Sequence, residues 1–371
     1  MINLSKQSIT SREKKIFSKV LQSGKITRGK YIEEFEKKVC KYTKSKYAVA
    51  VNSASSALFL AYSIFLKKND IVWTSPVTFI STISGAIHLG SKIDFVDIGK
   101  DFNIDPLILQ TKLKKTKKKK LPSIVTTVHL RGVPADQDKI AMLSKKYNFK
   151  VIEDASHSFG ASYKNQSVGS CKWSDMTILS FHPSKSITTG EGGMILTNNL
   201  FYYKKLLLLR NNGIVKNVKQ PWKYKYFSIG HNFWMNEIQA ALGISQLNKL
   251  NTLISKRKKI SKYYDSKLNQ TSYFVNSQYV NKSNSYHLYI LKCKNKQTKL
   301  RLMEYLKKKG IETTTHYISL HLQPFFKSYK LNEKLLKNSE TYTNHYFSIP
   351  IYPDLKKKKQ DYIIKCILNF K

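Results

Sequence analysis

Three short stretches hold residue types that could do chemistry together. In Ser180-Phe181-His182-Pro183-Ser184-Lys185-Ser186-Ile187-Thr188-Thr189-Gly190-Glu191-Gly192-Gly193, a single lysine lies between two strand-like runs, among small residues that permit tight turns. A lysine kept partly out of water there would have a depressed pKa, which suits nucleophilic and Schiff-base chemistry. Glu153-Asp154-Ala155-Ser156-His157 follows an apolar run ending at Ile152. An acidic residue at the carboxyl end of a parallel strand points into a ligand crevice, where it could keep a ring nitrogen protonated. Asn52-Ser53-Ala54-Ser55-Ser56-Ala57-Leu58 joins a strand-like run to a helical one. Its small residues would let backbone N–H groups at a helix N-terminus approach a phosphate. Each stretch alone also has a plain reading: a serine or aspartate helix cap, or one more surface lysine in a lysine-rich chain.

Elements that would position these residues follow from periodicity. Tyr47–Val51, Ile71–Trp73, Lys92–Val96, Ser123–Val128 and Lys150–Ile152 read as short strands, each followed by turn residues and an amphipathic stretch. Thr177–Ser180 and Gly193–Leu196 bracket the lysine. The alternation indicates a doubly wound α/β domain. A long helix is expected from about Asn236 through Lys262, with a domain boundary near residue 250 inside it. Farther on, Ser285–Lys292 reads as strand, Leu300–Lys309 as helix and Ile349–Ile351 as a late strand. The expected division is a large domain over 1–250 and a smaller one over 251–371.

Composition narrows the function classes. Hydrophobic residues make up 41% of 371 residues, enough for a sizeable core. No run of about 18 apolar residues argues for a membrane span, and the first residues show no signal-peptide pattern. Four well-separated cysteines (Cys40, Cys171, Cys293, Cys366) fit reduced thiols in a cytoplasmic protein and no metal site. The net charge of +42 raises the prospect of nucleic-acid binding. Yet of 65 basic residues only six are arginine (Arg12, Arg28, Arg131, Arg210, Arg257, Arg301), and the lysines are scattered. Arginine is the residue for bidentate phosphate and base contacts, so the charge is read as compositional bias, with no nucleic-acid partner expected.

Taken in order along the chain, these segments resemble the DegT/DnrJ/EryC1/StrS family of pyridoxal-phosphate (PLP) dependent sugar aminotransferases. The resemblance spans nearly the whole chain. It starts at Gly24-Lys25-Ile26-Thr27-Arg28-Gly29 and Phe35-Glu36, and continues through Ser53–Leu58 and Thr74-Ser75-Pro76-Val77-Thr78-Phe79 to the Asp154 and Lys185 motifs. Beyond these come Gly230-His231-Asn232-Phe233-Trp234-Met235-Asn236, Tyr286-His287-Leu288-Tyr289, His316-Tyr317 with His321 and Gln323-Pro324, and Ser348–Pro353. The resemblance implies fold-type I, like aspartate aminotransferase: a large mixed-sheet α/β/α domain and a smaller C-terminal α/β domain. It implies PLP as cofactor, with pyridoxamine phosphate as its intermediate form. Lys185 would be the Schiff-base lysine and Asp154 the partner of the pyridine nitrogen. Phe79 would stack on the ring and His157 would bond its oxygen. Ser55, Ser56 and Ser180 would hold the phosphate with Asn232 of a neighbouring subunit, so a homodimer is implied. Lys25, Arg131, His182, His316 and Tyr317 would contact substrate.

The motif around Lys185, with Phe181-His182-Pro183 before it and Ile187-Thr188-Thr189 after it, is most similar to the pseudaminic-acid branch. Those enzymes aminate the C4 ketone of a UDP-linked 4-keto-6-deoxy-N-acetylhexosamine, with L-glutamate as donor. A branch acting on a UDP-4-keto-pentose has a similar motif, and 3-keto branches usually differ here. Family dehydratases carry histidine in place of the lysine. A catalytically idle relative is the remaining alternative, since fold alone never guarantees activity. Three positions depart from common family residues: Ala54, where glycine is frequent, Arg131, where an aromatic residue is, and Trp234, where arginine is.

Overall fold

Apolar runs bounded by turn residues become strands, and the amphipathic stretches between them become helices, in the computed structural model. It describes residues 1–217, 219–220, 222–276, 279–329 and 335–370. The first part of the chain supplies β1 (Tyr47–Val51), β2 (Ile71–Thr74), β3 (Lys92–Phe95), β4 (Ile124–Val128) and β5 (Lys150–Asp154). A small hairpin, β6 (Ser162–Tyr163) and β7 (Gln166–Ser167), precedes β8 (Met176–Ser180) and β9 (Gly193–Thr197). Helices α1 (Ser11–Gln22), α2 (Lys30–Thr43), α3 (Ala54–Phe65), α4 (Ser81–His88), α5 (Pro106–Lys115), α6 (Gln137–Tyr147) and α7 (Leu200–Arg210) connect and flank them.

These strands form a seven-stranded sheet of order β1-β9-β8-β5-β4-β2-β3. Pairing is parallel from β3 to β8, while β9 runs antiparallel to both β8 and β1. It follows that β1, β2, β4, β5 and β8 all end on one edge and β9 begins there. Such an edge is where ligands bind in open α/β sheets. Buried residues pack on both faces: Leu58, Ala61, Ile83 and Ile178 lie in one cluster, and Trp73, Val125, Ile140 and Val151 in another.

Beyond α7 an exposed hairpin, β10 (Ile214–Lys216) with β11 (Tyr224–Tyr226), leads to α8 (Glu237–Leu247) and α9 (Leu250–Leu268). The single long helix expected here is thus two, broken at Asn248-Lys249. The reason is packing. α8 is buried nearly all round, against α1 and α2, whereas α9 carries one buried face and packs on the C-terminal helices. One straight axis could not serve both neighbours. α8 begins on a capping box in which the Asn236 side chain accepts from Gln239 N and the Gln239 side chain accepts from Asn236 N.

The remainder comprises β12 (Tyr289–Lys292), α10 (Lys296–Lys308), α11 (Lys337–His345), β13 (Tyr346–Ile349) and α12 (Lys357–Leu368), with β12 and β13 antiparallel. Tyr264, Leu291, Leu302, Phe347 and Ile363 share a core there, and Ile2 joins it from the start of the chain. The expected strand over 285–292 forms only from Tyr289. Before it, Ser285 N and Leu288 N donate to the carbonyls of Gly132 and Arg131, so that backbone serves the sheet edge and not a ladder. The late strand ends at Ile349 because Pro350 has no N–H to pair.

Candidate active site

Register fixes the site. Ser180, the last residue of β8, lies opposite Gly193, which lies opposite Val51, the last residue of β1. The twelve residues between Ser180 and Gly193 therefore form a loop over the carboxyl edge, with Lys185 inside it. On the next strand, β5 ends at Asp154. A cavity of about 450 Å³ opens at this edge, lined by Ser55, Phe79, Asp154, His157, Ser180, His182, Lys185, His316 and Tyr317, with Glu191, Ser156 and Thr82 beside them. A larger cleft of about 780 Å³ lies along β1 between α2 and α7, away from the lysine.

Nine of the expected site residues converge on the cavity, and four do not line it. Ser56 turns inward: its hydroxyl donates to Asn52 Oδ1 (2.6 Å), as part of the cap of α3. Lys25 is exposed, in the turn after α1. Asn232 is also exposed, in a bridge with Asn211 at the foot of the β10–β11 hairpin. Arg131 is buried instead, with its guanidinium 5.1 Å from the Phe102 ring. A non-glycine φ of +63° turns the chain there, and Phe102, Tyr342 and Tyr346 surround one another at 5.0–5.2 Å.

At the base of the cavity Asp154 is 5% exposed. Thr82 Oγ1 donates to its Oδ2 (2.7 Å) and Ser156 N to its Oδ1 (3.2 Å), which fix the carboxylate plane. Lys185 is partly buried. Burial pushes its pKa down to about 8, against the opposing pull of Asp154 and Glu191. Its amine makes no hydrogen bond or salt bridge with the described residues. His157 Nε2 shares a hydrogen bond with the Tyr317 hydroxyl (3.0 Å), and the His287 ring packs 4.2 Å away. Burial, then the charges of Lys185 and His316, hold the His157 imidazole well below its ordinary pKa. His316, bonded through Nδ1 to the Ser348 hydroxyl (2.9 Å), is held at about 4 by burial and then by Lys185. Burial also lowers His182, against Glu191.

On the opposite wall, the Ser53 side chain accepts from Ser56 N, and the N–H groups of Ala54 and Ser55 have no acceptor among the described residues. They point out of a twelve-residue helix and carry its positive end. Ser55 Oγ reaches Ser81 (2.8 Å). Phe79 is 56% exposed, with its ring 5.8 Å from Tyr317.

Thr82, Glu191 and His287 were not singled out from sequence as site residues. Thr82 had a weak signal, three positions after Phe79 at the start of α4. His287 lay within the Tyr286–Tyr289 segment of the resemblance, but its packing against His157 could not be read because the two are far apart in the chain.

A phosphate-bearing pyridine aldehyde fits this arrangement. The unclaimed N–H groups of α3 would face its phosphate, Asp154 would meet a ring nitrogen, and among the described residues neither the Lys185 amine nor the buried His157 Nδ1 has a hydrogen-bond partner.

Comparison with known proteins agrees with the geometry. Residues 7–368 match the DegT/DnrJ/EryC1/StrS aminotransferase family. A Campylobacter jejuni UDP-4-amino-4,6-dideoxy-N-acetyl-beta-L-altrosamine transaminase is 36% identical over 343 residues, covering 92% of this chain and 89% of the relative. The Helicobacter pylori protein of the same name is 32% identical over 343 residues, covering 91% and 88%. Among solved structures, a Helicobacter pylori aminotransferase involved in the biosynthesis of pseudoaminic acid superposes with a TM-score of 0.91 at 30% identity, covering 99% of this chain and 98% of that one. A putative sugar aminotransferase of Streptococcus pneumoniae in its PMP form gives 0.91 at 26%, with the same coverage. The chain belongs to the DegT/DnrJ/EryC1/StrS aminotransferase family.

Proposed function

We propose that the protein is a PLP-dependent aminotransferase that moves an amino group from L-glutamate to the C4 ketone of a UDP-linked 4-keto-6-deoxy-N-acetylhexosamine. The observation that carries this is the unpaired, partly buried Lys185 amine beside Asp154 at the carboxyl edge of the sheet. The sugar rests on the Campylobacter and Helicobacter relatives named for it.

In this reading Ala54 N, Ser55 and Ser180 bind the phosphate, joined by Asn232 of a second copy, so the working form is a homodimer. Phe79 would cover the ring and His157 Nδ1 would be the donor for its oxygen. When bound, PLP supplies an electron sink that stabilises negative charge at the carbon losing a proton. Thr82 and Ser156 hold the Asp154 carboxylate in place, where it would serve as partner of the ring nitrogen. With a pKa of about 8, a useful share of Lys185 is neutral near neutral pH, so its Nζ can take the amino acid's α-proton and later return a proton to carbon. His182, His316 and Tyr317 stand on the open side, where the sugar would enter. In this reading the chain divides into units of 1–250 and 251–371, and His316 and Tyr317 of the second line the cavity with residues of the first. The setting is cytoplasmic.

The test mixes purified protein, PLP and L-glutamate, then adds the UDP-4-keto-6-deoxy-N-acetylhexosamine, beside a Lys185→Ala variant. Release of 2-oxoglutarate and a 4-amino nucleotide sugar by wild type alone is expected. Equal turnover by the alanine variant, or none by wild type, sinks the reading.

A further inference from the structure

Arg257, in the middle of α9, is 2% exposed and has no carboxylate partner among the described residues. A guanidinium cannot shed its charge inside a protein, and a buried unpaired cation is costly. Burial alone pulls this one down to about 10. What it does have is three carbonyls. Nη1 donates to Ile351 O (2.8 Å) and His287 O (3.3 Å), and Nη2 reaches Ser184 O at 3.5 Å. None of these carbonyls accepts a backbone hydrogen bond among the described residues outside the regular elements. They come from three separate segments: the loop carrying Lys185, the approach to β12, and the turn after β13.

Two of the three touch the cavity's machinery directly. Ser184 precedes Lys185 in the chain. His287 packs its ring 4.2 Å from His157. The planar fork of a guanidinium can hold several acceptors at fixed angles, whereas an ammonium cannot. Arg257 Nε remains buried without an acceptor among the described residues, so the side chain is placed for its terminal nitrogens.

We propose that Arg257 is a positioning residue for the reaction: by clamping Ser184 O to the His287 and Ile351 carbonyls, it sets where the Lys185 amine stands relative to Asp154 and His157. This rests on Lys185 being the reactive amine of the proposed function. The clamp makes the C-terminal core, through α9, a determinant of lysine geometry in the sheet-edge loop.

Two variants test it. Arg257→Lys keeps the charge and loses the fork; Arg257→Gln loses the charge as well. The first readout needs no cofactor: acylation of Lys185 in cofactor-free protein, followed by peptide mass spectrometry across pH. Asp154, Glu191, His157, His182, His316 and Tyr317, which face the amine, are unchanged in both variants. The wild-type midpoint is expected near 8. Both variants should raise it by roughly half a unit or more toward the ordinary value of about 10.4, because an amine released from its place regains water. The second readout is kcat and KM for the amino-acid half-reaction. kcat should fall roughly tenfold or more at similar KM, while near-ultraviolet circular dichroism shows folded protein. A folded Arg257→Lys with a wild-type midpoint and wild-type kcat would overturn the proposal, because charge without the fork would then suffice. If wild type titrates near 8 but does not transaminate, the functional reading fails, and the midpoints still decide the clamp.

Discussion

Replacing Gly193 by alanine should damage cofactor binding far more than it damages the fold. Gly193 sits between Ser180 and Val51 in the sheet, directly beneath the turn into α3. A Cβ there would lie 2.4 Å from Ser53 O and 2.5 Å from Ala54 N. Both are backbone atoms, so no rotamer change relieves the contact. Ordinary contacts between heavy atoms are about 3.5–4 Å, so the Ser53–Ala54 peptide must retreat by about 1 Å. That peptide carries one of the two N–H groups proposed to bind the phosphate, and it precedes the other. Overpacking of this kind costs about 1–3 kcal/mol of stability, and a misplacement of about 1 Å in a positioned group can cost on the order of 100-fold. Gly190→Ala is the control. Its Cβ would meet nothing within 4 Å, and its φ of +82° brings only backbone strain, in the same loop. PLP titration followed by intrinsic fluorescence, with thermal melts alongside, reads both effects. We expect Gly193→Ala to weaken binding by roughly ten- to 100-fold, with Gly190→Ala close to wild type in affinity. Equal affinities in the two variants would refute the argument that this turn is held at the distance of a glycine hydrogen.

Asp154→Asn removes the larger of the two negative charges that favour the Lys185 ammonium, so the lysine's midpoint in cofactor-free protein should fall below about 8; a rise in the same acylation titration would contradict the electrostatics. Glu13, which does not line the cavity, offers a stability test. Burial raises its pKa, but bonds from Lys249, Thr10 and Ser245 outweigh this and bring it from 4.5 down to about 2. A carboxylate depressed in the folded state contributes stability above its unfolded value, lost as pH falls from about 4.5 toward 2. Thermal melts of Glu13→Gln should therefore show a flatter acid limb than wild type, and parallel losses would disprove the contribution.

The strand–turn–helix units of the sheet were legible because each is local: an apolar run, a capping residue, then helical periodicity. Lys185 was legible only through its company, since one lysine in so basic a chain says nothing by type. What could not be read depends on residues distant in sequence. The break at Asn248-Lys249 follows from two neighbours that demand different axes. Ser285–Leu288 looks like strand by composition, yet the N–H groups of Ser285 and Leu288 go to Gly132 and Arg131, and that of Tyr286 to the Asn284 side chain. Ser56, inside the expected phosphate turn, points back to Asn52, because helix phase and not motif membership decides which serine faces the ligand. The same holds for Arg131: its side chain is enclosed with Phe102, which no local pattern announces.

Trp234 shows how a departure from the family pattern can be absorbed. Arginine is common at this position in the sequences that this chain resembles. Here the indole lies over the Arg210 guanidinium at 3.9 Å, and its Nε1 donates to Asn211 Oδ1 (3.1 Å). Arg210 itself pairs with Glu36 (2.6 Å), and both are buried against Ala50, whose N–H and carbonyl they also bond. A second guanidinium beside Arg210 would share that one carboxylate, in a chain of net charge +42. The indole instead offers its ring to two cations already present, Arg210 and Arg28 (5.3 Å), and adds no charge. The segment keeps its course all the same. Trp234 bridges Val51, Phe233 O accepts from Asn52 N, and Phe233 N donates to Arg210 O. These bonds tie the Asn232 loop to the strand end that opens into the α3 turn. Ring and backbone together thus hold the Asn232 loop against the strand end.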